Sequence, residues 1–374
     1  MSIRQVTVAA ATGDNGTMKT LRLVVDPHRL QTPEAQEALA RAAALLREGA
    51  LVALPTETVY GLGANALNPA AVARIFAAKQ RPAWDPIIVH IAGPVASNPM
   101  LEALVERVPE AARRLMEAFW PGPLTLLLPR SAAVSDSVTA GRPMVGVRMP
   151  AHPVAFELIR LAGVPVAAPS ANRFGHTSPT TAQHVLDDLD GRIDALVDAG
   201  PTHHGVESTV LDPCQSPMVI YRPGAVTAEQ IAELAGPVVL FEPAEPVQAE
   251  PRGALPSPGV GVRHYAPRAR LVLVEAPLVQ LPARLAETAA RYPEDQLGAM
   301  LPEELRSAAP PGAMVFPWGR WDALEQMAQA LYAGLRTLDA AGCSVILCPL
   351  PPAAGVGAAL RDRLRKAAHL PEAE

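Results

Sequence analysis

The chain has 374 residues, 49% of them hydrophobic, and a formal net charge of −5. That length can build two cores, or three at most, and that charge argues against a broad basic nucleic-acid surface while leaving room for a local cationic pocket. Three irregularly spaced cysteines form neither a zinc spacing nor a disulfide framework, which fits a reducing compartment, and no apolar run reaches membrane-spanning length.

Residues 1–31 read as an N-terminal extension and lead-in. The first 17 lack the apolar core of a signal peptide, so a cytoplasmic location is expected. Met1 and Met18 both remain open as the start. A first unit spans 32–226. Thr32 is placed to cap a helix opened by Pro33, which runs over 34–48 and stops at Gly49. Residues 50–54 read as a buried strand. Asn68-Pro69 repeats the cap-and-proline device before a helix at 70–79, and 86–92 is another strand. Residues 101–119 read as one helix with an apolar face.

Apolar strands follow at 124–128, 144–149, 164–169, 195–200, 208–212 and 218–224, with short helices at 153–161 and 181–189. Their runs do not alternate cleanly, which predicts a twisted mixed sheet buried on both faces by helices. Cys214, just after Asp212-Pro213, reads as a small buried residue rather than a nucleophile. Residues 227–267 read as a linker, proline-rich from 236, yet Arg263, His264 and Tyr265 are poor choices for an inert tether. A second unit at 268–374 shows strands at 271–276, 312–317 and 343–350. Helices are expected at 281–291, 321–338 and 354–368. This is the pattern of a small three-layer α/β domain.

No GxxxxGK[ST], GxGxxG after the first strand, HExxH or GxSxG is present. This counts against an ordinary P-loop ATPase, a dehydrogenase, a zincin and an α/β-hydrolase. His203-His204 is an adjacent pair without a third ligand, so no protein metal site is expected. What remains is a set of polar residues at the ends of strands and helices, where α/β sheets gather ligands. Lys79 and Arg81 leave a helix together, with Pro82 fixing the exit, and suit a triphosphate. Asp85 either orients Arg81, holds a magnesium-bound phosphate or caps the next strand.

Ser170 and Asn172 sit in a turn, to bind phosphate and fix the loop or to bond their own backbone. Arg148 ends a strand and suits a carboxylate or phosphate, or else plain solvation. Thr58, Tyr60 and His90 form the opposite half, with Tyr60 as pocket wall or core aromatic. Gly61 and Gly63 allow close backbone approach. Ser208 and Arg222 complete the ring. Each residue alone has an ordinary structural explanation; together they point to an enzyme that handles a nucleotide.

PTETVYGLG at 55–63, Lys79-Gln80-Arg81, Ser170-Ala171-Asn172 and Arg263-His264-Tyr265-Ala266-Pro267 resemble the long, two-domain form of the Sua5/YrdC threonylcarbamoyl-AMP synthase family. The resemblance covers nearly the whole chain after residue 30. It implies a YrdC-like catalytic domain at about 35–225 and a smaller Rossmann-like Sua5 domain at about 268–374. It implies a nucleotidyltransferase that uses Mg2+ and joins L-threonine, bicarbonate and ATP into L-threonylcarbamoyladenylate, releasing pyrophosphate. The product serves the N6-threonylcarbamoyladenosine modification at position 37 of tRNAs reading ANN codons, through a tRNA threonylcarbamoyl transferase as partner.

By motif, the resemblance implies catalytic roles for Lys79, Arg81, Ser170 and Asn172. Thr58, His90, Arg148, Ser208 and the backbone at Ala168 would contact threonine. Arg81, Asp85, Ser170, Ser178, Arg222 and the backbone near Val145 would contact ATP, with Tyr265 reaching back from the linker to cover it. No general base is legible; a substrate phosphate or water serves equally, with His90 in support. Two other readings stay open, an RNA-binding module and a carbamoyltransferase of the hydrogenase-maturation type. The low charge counts against the first, and missing cysteine-rich fingers against the second. Weak direct tRNA binding, the oligomeric state and the role of the second domain are left open.

Overall fold

The computed structural model describes residues 19–242, 253–257, 259–260 and 265–368. Residues 1–18 of the extension, most of the linker's middle, and Arg263 and His264 lie outside the described residues.

The larger sheet has eleven strands among the described residues: β1 (Leu21–Val24), β2 (Val52–Pro55), β3 (Tyr60–Asn65), β4 (Ile88–His90), β5 (Leu124–Pro129), β6 (Met144–Arg148), β7 (Val166–Ala167), β8 (Ala195–Asp198), β9 (Thr209–Asp212), β10 (Met218–Arg222) and β11 (Val238–Leu240). They lie in the order β1-β8-β2-β3-β7-β4-β6-β5-β9-β10-β11, with parallel and antiparallel pairs mixed. Helix starts are written locally. The Thr32 side chain accepts from the Ala35 N–H before α1 (Pro33–Arg47), and Asn68 accepts from Ala70 and Ala71 before α2 (Pro69–Lys79).

The other helices of this unit are α3 (Pro99–Leu104), α4 (Glu110–Phe119), α5 (Asp136–Thr139), α6 (Pro153–Ala162), α7 (Ala182–Leu189) and α8 (Ala228–Ala235). On one face α1 and α6 bury Leu39, Leu46, Leu158 and Ile159 against Leu54, Val166 and Val197. On the other, α2, α3, α4 and α7 bury Ile75, Leu104, Leu115 and Val185 against Leu62, Val89 and Leu126. The mixed sheet covered on both faces is what the unbroken apolar runs predict.

Several local readings are corrected. Residues 101–119 do not form one helix. Val105 leaves α3 to bridge Arg130, and Pro109, which cannot sit in a helix interior because it has no N–H to donate, stands at the N-cap of α4. The stretch around Gly61 and Gly63, to which the sequence reading assigned no strand, forms β3 between β2 and β7. Within the stretch read as lead-in, β1 pairs with β8. Within the stretch read as linker, a Thr227/Gln230 capping box starts α8, and β11 pairs with β10. Cys214 is exposed rather than buried, because it sits in the turn that follows β9; Cys343 and Cys348 are buried.

The second sheet is wholly parallel. It comprises β12 (Arg270–Val274), β13 (Leu297–Leu301), β14 (Met314–Pro317) and β15 (Val345–Pro349), ordered β12-β15-β13-β14. Of its helices, α9 (Leu281–Ala289) packs on one face, and α10 (Leu324–Ala340) and α11 (Gly357–Ala368) on the other. The expected three-layer arrangement is present, with β13 added. The core beneath α10 and α11 also takes in Val59 and Val206 of the larger unit, and Tyr265. The two units therefore share an apolar seam. No helix among the described residues is long and apolar enough to cross a membrane.

Gly63 shows how tightly the large sheet is packed near the strand ends. A Cβ there would lie 2.8 Å from Leu54 Cδ2, 2.9 Å from Val166 Cγ1 and 3.0 Å from the Val52 carbonyl oxygen. Gly63→Val is expected to destabilise the larger unit by about 1–3 kcal/mol through overpacking. A urea titration checks this, and an unchanged midpoint would contradict the packing.

Candidate active site

The carboxyl ends of β4 and β6, the turn before β3, the loop after β7 and the segments bounding β9 and β10 converge on one crevice. Thr58, Arg81, His90, Arg148, Ala168, Ser170, Ser208, Arg222 and Tyr265 all line it. Sequence reasoning named each of these nine. Lys79, Asp85, Val145, Asn172 and Ser178 lie behind the lining.

These five have other positions. Lys79 is buried, and its ammonium donates to the Ser170 carbonyl at 2.6 Å and to the Asn172 carbonyl. Burial and the nearby Arg81 pull its pKa well below the ordinary lysine range, while the two carbonyl acceptors favour the charged form. The Asn172 amide donates to the carbonyls of Arg173 at 2.7 Å and His176 at 2.8 Å. Lys79 and Asn172 together hold the turn that presents Ser170. Asp85 is buried in an ion pair with Arg81 at 2.9 Å. Val145 is a core residue of β6 paired with Leu128. Ser178 donates to Glu207 at 2.6 Å. Tyr60 takes the core option, its hydroxyl donating to the Gly200 carbonyl at 2.7 Å.

Three guanidinium groups face the crevice, each held by fixed partners. Arg81 has Asp85, and donates to the Pro86 carbonyl at 2.8 Å. Arg148 pairs with Glu57 at 2.6 Å and donates to Thr58 Oγ1 at 2.9 Å. Arg222 donates to the Ser208 hydroxyl and carbonyl, both at 3.1 Å, and that hydroxyl is 2.8 Å from Thr125 Oγ1. Burial alone would raise the Glu57 carboxyl; Arg148 outweighs it and holds the group below its usual range.

Sequence reasoning assigned no role to Glu57, which stands inside PTETVYGLG, or to Glu207, the neighbour of Ser208. The available signal was a carboxylate next to a hydroxyl residue just before a strand, Glu57 before Thr58 and Glu207 before Ser208. No group of three or more His, Cys, Asp and Glu among the described residues is arranged to hold a metal ion. His203 and His204 serve instead through their backbone N–H groups, both donating to the Glu57 carbonyl.

Residues 44–224 match a family model described as telomere recombination, and residues 226–369 match one described as threonylcarbamoyl-AMP synthase, C-terminal domain. A threonylcarbamoyl-AMP synthase of Bacillus subtilis is 45% identical over 355 residues, covering 94% of this chain and 98% of the relative. One from Pyrococcus abyssi is 44% identical over 328 residues, covering 87% and 92%. The chain belongs to the threonylcarbamoyl-AMP synthase family. It has the family's full two-domain form. The crystal structure of P. abyssi Sua5 complexed with L-threonine superposes with a TM-score of 0.84 at 40% identity, over 93% of this chain and 98% of that one. The activity is that of the family, formation of threonylcarbamoyl-AMP for tRNA modification.

Two features define the crevice of this family member. Its volume is about 50 Å³, with Gly259 and Tyr265 forming part of its wall. Tyr265 is buried and holds φ at 66°, in the left-handed region that side chains rarely adopt. His90 is buried at the end of β4, and burial, reinforced by Arg148, pushes its pKa down to about 3. Its imidazole is therefore neutral at physiological pH.

That depression has a sign. Below the ordinary pKa of 6.5 the unfolded chain takes up a proton that folded His90 refuses until about 3. Its contribution to stability is therefore intact above 6.5 and is lost as pH falls toward 3. Lowering the pH from 7 to 5 should destabilise the larger unit by about 1–2 kcal/mol through this residue. Urea midpoints across that range measure it, and His90→Gln should flatten the profile. Equal slopes in both chains would show that His90 titrates normally.

Proposed function

We propose that this crevice joins L-threonine, bicarbonate and ATP into threonylcarbamoyl-AMP, and that the residues converging there divide into a threonine side and a nucleotide side. The observation that carries this reading is three buried, pre-oriented guanidinium groups, Arg81, Arg148 and Arg222, around one crevice lined with hydroxyls. Arg148 takes the threonine carboxylate, with Thr58, Ser208 and the backbone at Ala168 around the rest of the amino acid. Neutral His90 supports as a hydrogen-bonding group; a pKa of about 3 makes it a poor general base.

Arg81, Ser170 and Arg222 take the phosphates, and Lys79, Asn172 and Asp85 hold the first two in place. Ser178, the backbone near Val145 and Tyr265 complete the nucleotide side. The threonine nitrogen attacks the carbon of CO2, released from bicarbonate as its hydroxyl leaves in water, and loses a proton to water or a substrate phosphate to give the carbamate. A carbamate oxygen then attacks the α-phosphorus in line, and the bond to pyrophosphate breaks. Fixed cations meet the charge that develops, without rearrangement.

Mg2+ arrives with ATP. Glu57, Asp85 and Glu207 are each paired with an arginine, so the ion would be held mainly by the substrate's phosphate oxygens and water, and would help neutralise their charge. A crevice of about 50 Å³ is far smaller than the roughly 300–1,000 Å³ of small-molecule sites. Substrate access therefore requires part of the wall to give way, and Gly259 and Tyr265 are the part of it contributed by the segment that joins the two units. A tRNA threonylcarbamoyl transferase in the cytoplasm consumes the product.

Pyrophosphate release, measured with ATP and Mg2+ while threonine and bicarbonate are added singly and together, tests the reading. Release should need both, and mass spectrometry should find the adenylate. ATP turnover indifferent to threonine would sink it. Arg148→Ala should raise the threonine KM about 10–100-fold, the scale of a lost charge-assisted contact, and leave the ATP KM within about 2-fold.

A further inference from the structure

One carboxylate of the crevice is held mainly from the other unit. Glu207 lines the crevice and accepts from three groups. Ser178 Oγ is at 2.6 Å, the Tyr332 hydroxyl of α10 lies 2.9 and 3.0 Å from its two oxygens, and Arg363 Nε of α11 is at 2.7 Å. Arg363 and Tyr332 are fully buried. Burial raises the Glu207 carboxyl, but Arg363 and Arg222 and the hydrogen bonds from Arg363 and Ser178 outweigh it, leaving its pKa at about 2.

The same guanidinium grips the neighbouring segment. Arg363 Nη2 donates to the Pro223 carbonyl at 3.0 Å, one residue beyond Arg222. Gly224 lies against the backbone of Glu207 and Thr209; a Cβ there would be 2.6 Å from the Glu207 carbonyl oxygen and 2.3 Å from the Thr209 nitrogen. Arg363 also lies 5.1 Å from the Tyr265 ring centroid, and that ring is 5.8 Å from Tyr332. Farther along α10, Arg336 donates to the Thr177 carbonyl at 2.5 Å, next to Ser178. Three residues on the nucleotide side, Ser178, Arg222 and Tyr265, are thus reached from α10 and α11.

A buried ion pair contributes little net stability, because desolvation offsets attraction. Joining two units does not require one, since the apolar seam is present. Stability alone therefore leaves its placement at the crevice unexplained. We propose that Tyr332 and Arg363 are positioning residues of the synthase site, acting through Glu207 to set the nucleotide side of the crevice. This deepens the reading of the crevice as the threonylcarbamoyl-AMP site and rests on it.

The test uses the full chain and steady-state kinetics with ATP and threonine varied separately. Tyr332→Phe removes one hydroxyl and keeps the ring; it should raise the ATP KM about 3–10-fold, while the threonine KM stays within about 2-fold. Arg363→Met should lower kcat/KM for ATP about 30–100-fold, and Arg363→Lys should recover part of that loss. The Tyr332→Phe effect should vanish in a Glu207→Gln background, as it must if the hydroxyl acts through that carboxylate. Arg284→Ala, in an exposed ion pair of the same unit, serves as the unchanged control.

A Tyr332→Phe chain with native ATP KM overturns the proposal, even if Arg363→Met fails to fold. So does an equal loss for both substrates. If the unaltered chain shows no threonine-dependent pyrophosphate release, the reading of the site itself fails. Native activity with unaffected variants refutes the positioning role alone.

Discussion

Four guanidinium groups, those of Arg81, Arg148, Arg222 and Arg363, are buried around a single crevice, and three carboxylates are buried with them. Removing such an ion from water costs several kcal/mol unless charge and hydrogen bonds replace the solvent. Asp85, Glu57 and Glu207 supply that replacement. They fix the direction of Arg81, Arg148 and Arg363, and the Ser208 hydroxyl and carbonyl fix that of Arg222, so that the positive field is set before any anion arrives. Much else at the site follows from this constraint: the buried acids, the neutral histidine beside Arg148, and the lysine turned inward to hold a loop.

The sheet order explains how so many distant segments contribute. From β3 to β10 the strands run without interruption as β3-β7-β4-β6-β5-β9-β10. Apart from Arg81, which follows α2, and Gly259 and Tyr265, the crevice takes residues from those strands or from the turns at their ends. The second sheet adds no wall of its own to this crevice through β12 to β15. It contributes two helices whose buried side chains reach its edge, alongside an apolar seam that includes Val59 and Val206.

Much of this was legible in the sequence because local chemistry decides it. The caps at Thr32 and Asn68 and the long apolar runs name their elements without outside help. β3 and β13 were harder. Their glycines and alanines carry little strand preference, and pairing with neighbours makes them strands. β1 and β11 are short edge strands that depend on distant partners. At the site, cations and hydroxyls at strand ends could be picked out by position. Of their counter-ions only Asp85, four residues from Arg81, could be named; Arg148 meets Thr58 and Glu57 across some ninety residues of chain, and Glu207 meets Tyr332 and Arg363 across 125 and 156. Val145 was named for its backbone, and its side chain lies in the core.

The 156 residues between Glu207 and Arg363 also separate them in time. At the roughly 5–20 residues per second of synthesis, the carboxylate is made about 8–30 s before its guanidinium. During that interval the strands around it can pair, but Glu207 has neither the arginine nor the tyrosine that later encloses it. The nascent large unit must keep that acid in water, with its crevice edge unsettled. Completion of the second unit is then also the step at which the ribosome's product acquires a finished site.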